Sequence, residues 1–322
     1  MSGLTVRPVQ PADHRVWNTH VEISNNGTLF HDLDFLSYHS ADRFDFRHLV
    51  VERDGLIEAV VPGAVRPDGV FVSPAGASVG GPAVRRSLAA EQALALVEAL
   101  QNYARAQHWG GLEFALPPPV YHHSPNQLVE FALTLKGFSL TNRALSFLLP
   151  LRRGATDHYQ VLFAQSRRSY VRANRRKGVT TREAGAEAID AFLELFQETY
   201  DRLGTSATHT PSEIVDLLRR LPHRVRLWLA WLGETAIAGS LVFVLNPNVC
   251  CTFYICDRLS HRDHHGVTVL LADLLDILAQ RDFRYLDLGP SASSTHFNRG
   301  VVYFKESLGA QAFCRDSWRW NA

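Results

Sequence analysis

The chain has 322 residues, of which 46% are hydrophobic and 20% are charged, and its formal net charge is +1. This is the composition of a folded globular protein, and the near-neutral charge excludes a protein that binds polyanions over its whole surface. The length predicts two domains of about 150 residues each. Any contact with a nucleotide or a nucleic acid must therefore come from a local patch.

The cysteines and the apolar stretches indicate the compartment. Four cysteines occur without metal-binding or secreted-disulfide spacing, namely Cys250, Cys251, Cys256 and Cys314. We expect buried, reduced thiols and a cytoplasmic location, since the first residues contain no apolar run of a signal peptide. The long apolar stretch 227–245 is interrupted by Gly233-Glu234, which predicts a hairpin rather than a membrane span.

The first half of the chain reads as alternating strands and helices. Asp54-Gly55 between two apolar runs predicts a hairpin of strands 49–52 and 56–61. The elements predicted after it are a glycine-rich loop at 73–82, a helix near 91–107, a strand at 112–116, a helix near 126–135 and a strand near 146–149.

The second half repeats this order after a basic helix. The predicted elements are a helix at 157–177, a strand at 179–182, helices at 188–203 and 212–221, a hairpin at 227–232 and 236–245, a strand at 249–255, a helix at 267–280, a strand at 285–289 and a final strand within 301–309. Apolar residues at 267, 270, 271, 274, 275 and 278 give the helix at 267–280 one apolar face.

The two halves therefore look like copies of one α/β unit. Residues 298–309 lie over residues 126–137 at a constant offset of 172 (298 − 126). We predict a first domain at 1–152 and a second at 153–322. In this alignment Phe304-Lys305 of the second copy stands opposite Ala132-Leu133 of the first. That difference favours one working site, in the second unit or in the groove between the two, with the first unit on the acceptor side.

Several of these features resemble a known family. The hairpin, glycine turn, helix and following strands resemble the acyl-CoA N-acyltransferase (GNAT) unit, and the doubled form is similar to the Fem-type (FemAB-like) acyl and aminoacyltransferases. The basic segment 166–179, the strand motif Tyr285-Leu-Asp-Leu-Gly289 and the ending Phe304-Lys305-Glu-Ser-Leu-Gly309 carry the resemblance. It implies two tandem GNAT-like domains, each a mixed twisted sheet flanked by helices.

The resemblance also implies an activity, the transfer of an acyl group from acyl-CoA, or of an aminoacyl group from charged tRNA, to an amine acceptor. No tightly bound cofactor is expected. The glycine turn of the CoA enzymes appears here only as Asp263-His-His-Gly266-Val-Thr268, which favours tRNA, whereas the near-neutral charge favours a small donor. The alternative is a non-catalytic module that binds a cell-envelope precursor or a protein partner. The sequence leaves the acceptor and the oligomeric state open.

The start of the helix at 267–280 is the expected donor-binding site. Unpaired amides and the helix dipole at a helix N-terminus favour a phosphate. The predicted donor-binding residues are Gly266, Val267, Thr268, His264 and His265. The histidine pairs show no metal-binding spacing, so no metal site is predicted.

Three residues are the catalytic candidates. Acyl transfer needs a group that stabilises the oxyanion, and the resemblance implies Lys305 for that role, against a reading as a surface lysine beside a core strand. Asp287 can orient the amine or hold Lys305, or it can pair with an arginine structurally. Tyr254 can donate a proton or shape the donor slot, or it is an ordinary strand tyrosine.

A stripe of arginines marks the predicted helix at 157–177. Arg168, Arg172, Arg175 and Arg176 fall on one face, and no acid lies between Asp157 and Glu183 to neutralise them. Because the arginine fork suits phosphates, we expect this face to bind a nucleotide-linked acceptor or tRNA. Phe304 is expected to line the same acceptor channel or to fill core.

Overall fold

The computed structural model describes residues 3–40 and 42–322, and the chain folds into two compact units. The first unit runs to Ala144 and includes Cys314–Ala322 at the C-terminus, and the second covers Leu145–Phe313. Each unit combines helices with a mixed sheet, which confirms the predicted α/β class. The sequence predicted the division after residue 152, whereas the units divide within the strand that spans residues 139–150.

The first unit begins with a short strand and a helix and ends in a long strand. Its elements are β1 (Thr5–Pro8), α1 (His14–Ile23), α2 (Leu33–Leu36), β2 (Asp45–Phe46), β3 (Leu49–Arg53), β4 (Leu56–Val61), β5 (Ala64–Val65), β6 (Val70–Ser73), β7 (Ala83–Val84), α3 (Ala90–Ala106), β8 (Gly111–Ala115), α4 (Leu128–Leu135) and β9 (Ser139–Pro150). The order β1-β3-β4-β7 makes one antiparallel sheet, and β6 pairs with β8 in parallel.

The second unit starts with two short helices and contains a long meander. Its elements are α5 (His158–Leu162), α6 (Gln165–Arg176), β10 (Val179–Ala184), α7 (Ile189–Leu203), α8 (Pro211–Arg220), β11 (Val225–Leu232), β12 (Thr235–Asn246), β13 (Val249–Asp257), α9 (Gly266–Gln280), β14 (Tyr285–Ser293), β15 (His296–Phe297) and α10 (Arg299–Ser307). The last strand, β16 (Gln311–Asn321), begins in this unit, and its residues from Cys314 onward belong to the first unit. From β10 to β13 neighbouring strands are antiparallel, and β14 then joins β13 in parallel.

The core of the second unit forms where α9 packs on this sheet. The predicted apolar stripe is buried, since Leu270, Leu271, Leu274 and Leu278 are each at most 1% exposed. Burying one such side chain contributes roughly 1.5–3 kcal/mol, so the position of α9 on the sheet is strongly determined. The start of α9 is thereby fixed beside β12 and β13.

The segment predicted as a final strand at 301–309 is instead α10, so that prediction is wrong. Val302, Lys305 and Leu308 recur every three residues and form the buried side of a helix. Asn298 caps the helix, because its side-chain oxygen accepts a hydrogen bond from the Val301 amide at 3.1 Å. The run of β-branched and aromatic residues at 301–304 suggested a strand, but the cap and the buried face favour the helix.

Two smaller predictions also need correction. The basic helix predicted at 157–177 is divided, since α5 ends at Leu162 and α6 begins at Gln165. Cys250, Cys251 and Cys256 are buried as expected, whereas Cys314 is exposed. No helix of the described residues is both long enough and apolar enough to cross a membrane.

Candidate functional site

The central strands of the second unit part from each other. The parallel pairing of β13 with β14 covers only Val249–Cys251 against Tyr285–Asp287. The last link is the Thr252 hydroxyl, which donates to the Asp287 carbonyl at 3.2 Å. After it, β13 continues to Asp257 along β12, while the pairing of β14 with β9 shifts register between Asp287 and Pro290. The strands therefore open into a splay at this point, as α/β folds do where they bind ligands.

A cleft of about 430 Å³ lies where α9, β13 and α10 meet. We call it the α9 cleft. It is lined by Arg167, Ile237, Ile255, Asp257, His261, Arg262, His265, Gly266, Val267, Thr268, Val301, Phe304 and Lys305. Three cationic side chains and one carboxylate are among these residues. The carboxylate, Asp257, is already bonded to Arg202 and Arg262. The cleft therefore favours an anionic ligand.

One wall of the cleft is the start of α9. Gly266 and Val267 contribute the first amides of the helix, which have no acceptor within it and point out of its end. Gly266 packs so closely on β12 that a Cβ there would lie 3.0 Å from the Cβ of Ala238. Thr268 is buried just behind them. The fit requires the smallest residue at 266 and leaves the helix end accessible to an anion.

The two histidines before α9 have different surroundings. His265 lines the cleft, adopts a left-handed conformation with φ of 44°, and stacks on Tyr170 with ring centroids 3.8 Å apart. Burial, followed by the nearby Arg167, lowers the pKa of His265, so its ring is neutral at pH 7. His264 is not among the cleft-lining residues and lies 3.8 Å from Asp263. Only one of the pair therefore faces a ligand in this cleft.

Lys305 reaches the cleft from the buried side of α10. Its side chain is 5% exposed, and Nζ donates to the Gly289 carbonyl at 2.7 Å. The ammonium also lies 5.9 Å from the centroid of the Phe147 ring. A lysine held in this way presents a fixed and largely buried positive charge, and buried charges interact more strongly than charges in bulk water.

Asp287 builds the turn that holds Lys305. It is fully buried, and its Oδ1 accepts hydrogen bonds from the Gly289 amide at 2.6 Å and from the Ser146 hydroxyl at 3.0 Å. Gly289 has a φ of +78°, a conformation that glycine adopts without strain. Its carbonyl is then directed at Lys305. Asp287 does not line the α9 cleft itself, so the structure places it behind the lysine.

Tyr254 faces away from the cleft. Side chains alternate along β13, and Ile255 and Asp257 are the ones that line the cleft. The Tyr254 hydroxyl is buried and accepts a hydrogen bond from the His209 amide at 3.0 Å, and it lies 2.7 Å from His209 Nδ1. Burial raises the pKa of Tyr254 far above its usual value. The residue therefore ties the loop before α8 to the sheet.

The predicted arginine stripe is partly used within the protein. Arg175 bonds to Asp273 on α9 and stacks over Tyr159 at 4.9 Å, so the prediction that no acid neutralises the stripe is wrong for it. Asp273 is 98 residues from Arg175 in the sequence, so this ion pair could not be predicted from the sequence. Arg168 donates to the Gln160 carbonyl at 2.9 Å. Arg172 and Arg176 are exposed, and none of the four lines the α9 cleft.

The arginine that does reach the cleft is Arg167, one residue from the predicted stripe. Its Nε donates to the Ser307 hydroxyl at 2.9 Å, and its guanidinium lies 4.9 Å from the Phe304 ring centroid. Phe304 thus lines the α9 cleft and also supports this arginine. Sequence reasoning did not single out Arg167, because only the contact between α6 and α10 sets it apart from its neighbours.

The described ranges 3–40 and 42–322 contain no group of three or more His, Cys, Asp or Glu side chains that could hold a metal ion. The α9 cleft is the place in the second unit where Lys305 and four of the five predicted donor-binding residues come together, all except His264. Its parts are the first amides of a helix, a fixed lysine and an arginine supported by an aromatic ring. This combination can bind an anion and stabilise a negative charge that develops on a carbonyl oxygen.

Comparisons with known proteins bear on this arrangement. Residues 164–303 match the family model described as an acetyltransferase (GNAT) domain. The search of curated proteins gave no match. Among solved structures, FemX is similar over 98% of this chain and 97% of its own, with 14% identity and a TM-score of 0.74. L-PGS from Bacillus licheniformis is similar over 97% and 92%, with 10% identity and a TM-score of 0.62. A tandem GNAT protein from the clavulanic acid biosynthesis pathway is similar over 99% and 98%, with 11% identity and a TM-score of 0.54.

Proposed function

We propose that this chain, an acyltransferase whose residues 164–303 match the model of a GNAT acetyltransferase domain, transfers an acyl group from acyl-CoA to an amine. The observation that carries the proposal is the α9 cleft, where a buried lysine and the start of a helix line one space. The donor phosphates would lie at the amides of Gly266 and Val267. The thioester would then extend along the splay toward Lys305.

The chemistry requires little more than these groups. The neutral amine attacks the carbonyl carbon of the thioester, a C–N bond forms, and the carbonyl oxygen becomes an oxyanion. The ammonium of Lys305 stabilises this charge because it is already fixed by the Gly289 carbonyl. When the C–S bond breaks, the sulfur leaves as a thiolate and takes up the proton that the amine nitrogen loses, so the products are an amide and a free thiol. Asp287 acts through Gly289 as a positioning residue.

A second donor class is supported by a different surface. Arg172 and Arg176 are exposed on α6, followed by Lys177, and an exposed basic stripe suits the phosphates of charged tRNA. The fold similarity to FemX shows the fold alone and does not choose between the donors. An aminoacyl ester would meet the same lysine, since ester and thioester pass through the same kind of oxyanion.

The first experiment is a titration of the thermal midpoint of the purified protein with acetyl-CoA, longer acyl-CoAs and free CoA. A ligand at about 100 times its Kd adds about 2.7 kcal/mol of stability, which shifts the midpoint of a domain of this size by about 5–10 °C. A saturable shift with CoA species, followed by release of the CoA thiol when amines are added, supports the proposal. No shift and no thiol release would refute the CoA donor and direct the same assay to charged tRNA.

A further inference from the structure

We propose that Arg167 is the residue that recognises a phosphate of the donor and that α10 links this recognition to the placement of Lys305. The inference rests on the proposed acyl transfer and adds a specificity-determining residue to it. The shared chemistry is a phosphate ester, which either CoA or the end of a charged tRNA can supply.

Arg167 is held in place without being neutralised. Its Nε is bonded to Ser307 at 2.9 Å, and its guanidinium lies 4.9 Å from the Phe304 ring and 5.9 Å from the Tyr170 ring. In the described part of the chain no carboxylate forms an ion pair with Arg167, whereas Arg175 pairs with Asp273. Its two Nη groups therefore keep their four N–H donors. A planar fork with this geometry suits two oxygens of one phosphate.

The surroundings of Arg167 argue for an anion rather than a purely structural role. A cation–π contact alone is worth roughly 0.5–1 kcal/mol at exposed sites, and an uncharged side chain can fill the same space against Phe304. The other cationic side chain beside α10, Lys305, is committed to Gly289. Of the two arginines that line the α9 cleft, Arg167 is the one without a carboxylate partner among the described residues, since the Nε of Arg262 donates to Asp257 at 2.7 Å.

The helix α10 connects the two ends of the site. Phe304 and Ser307 hold Arg167, while Lys305 between them reaches Gly289. The residues that hold Arg167 and the lysine that supplies the catalytic ammonium therefore lie on the same turn of α10. Because Ser307 fixes the Nε, Ser307→Ala should loosen the arginine and raise the KM for a phosphate-bearing donor more than it lowers kcat.

The test compares donors with and without phosphates. Acetyl-CoA and acetyl-pantetheine carry the same thioester, but acetyl-pantetheine has no phosphate. We expect Arg167→Met to lower kcat/KM for acetyl-CoA about 10- to 100-fold, the usual effect of a lost charged hydrogen bond, and to change the value for acetyl-pantetheine less than about twofold. Arg167→Lys should recover only part of the loss, because it keeps the charge and loses the fork. Arg219→Met, an exposed arginine on α8, serves as the matched control.

The outcomes separate the inference from the function on which it rests. In one outcome the wild-type protein turns over both donors while Arg167→Met lowers kcat/KM equally for both, or leaves kcat/KM for acetyl-CoA unchanged. Either result overturns the role of Arg167 and leaves the acyltransferase proposal intact. No turnover and no CoA binding by the wild-type protein overturns the CoA donor itself. Filter binding of tRNA to the same variants then decides the phosphate source: weaker tRNA binding by Arg167→Met supports recognition of an RNA phosphate, and unchanged binding refutes the inference.

Discussion

Replacing Lys305 by Met is the most informative perturbation of the site. Methionine has a similar length and keeps the packing of the stem near Phe147, but it removes the positive charge and the donor to Gly289. Loss of one oxyanion donor typically lowers kcat about 10²- to 10³-fold, or roughly 2.7–4 kcal/mol of transition-state stabilisation. We therefore expect a drop of this size when acetyl-CoA is saturating.

The stability of the same variant should change far less. The Gly289 carbonyl loses a partner, which costs roughly 1–3 kcal/mol, but the variant no longer buries an ammonium that is 5% exposed. These terms oppose each other, so we expect a change in the free energy of unfolding below about 2 kcal/mol. Thermal unfolding and thiol release measured on one preparation separate the two effects. Arg219→Met, at an exposed position on α8, is the control.

One result would refute the assignment of Lys305. If the variant is folded, binds CoA as the wild-type protein does, and keeps kcat within about threefold, the lysine does not stabilise the oxyanion. A parallel loss of fold and activity would be resolved with Lys305→Arg, which retains the charge. In a folded Lys305→Arg variant, recovery of part of kcat supports an electrostatic role.

Further predictions concern the helix start, the buried tyrosine, the arginine stripe and a histidine of the first unit. Gly266→Ala places a Cβ 3.0 Å from that of Ala238, and calorimetry should show weaker CoA binding than for the wild type. Tyr254→Phe removes the bond to His209, and unfolding should show a loss of about 1–3 kcal/mol while kcat stays within about threefold. Arg175→Met leaves Asp273 without its arginine, so the thermal midpoint should fall while the KM for acetyl-CoA is unchanged. Burial lowers the pKa of His31 to about 4, so the folded state binds fewer protons than the unfolded state between pH 6.5 and 4. The contribution of neutral His31 to the free energy of unfolding is therefore present above pH 6.5, and roughly 3 kcal/mol of it is lost as the pH falls to 4. Denaturant titrations at each pH should show a smaller loss for His31→Gln than for the wild-type protein.

Much of the second unit could be predicted because its signals are local. The apolar period of α9 and the glycine turns of the hairpins depend on residues that are neighbours in the sequence. The error at α10 has a local cause as well, since Val301-Val302-Tyr303-Phe304 has the composition of a strand. Only tertiary packing shows that Lys305 lies on a buried helix face, where it finds the Gly289 carbonyl.

The residues that sequence reasoning misplaced all depend on partners distant in the chain. Arg175 looked free because Asp273 is on another helix, and Tyr254 looked available because His209 lies on a separate loop. Arg167 was not selected from the sequence, although it reaches the α9 cleft. It resembles its basic neighbours in the sequence, and only Phe304 and Ser307 of α10 distinguish it.

The first unit shows why a repeated fold need not repeat the site. Its strands β6 and β8 also pair in parallel, from Val70↔Gly111 to Ser73↔Phe114. In the glycine loop that follows β6, two amides are bonded within the protein, since Gly81 donates to the Ser73 hydroxyl and Gly80 donates to the Ala115 carbonyl, both at 2.7 Å.

The helix α4, which aligns with α10 in the repeat, also lacks the cation of the site. In α4, the position that aligns with Lys305 is Leu133, which is fully buried in the core of the first unit. A leucine there packs well but carries no charge for an oxyanion, and the amides of Gly80 and Gly81 are already bonded within the protein. We therefore infer that the second unit alone performs the chemistry, because the buried position of this helix holds a cation in one copy and a hydrocarbon in the other.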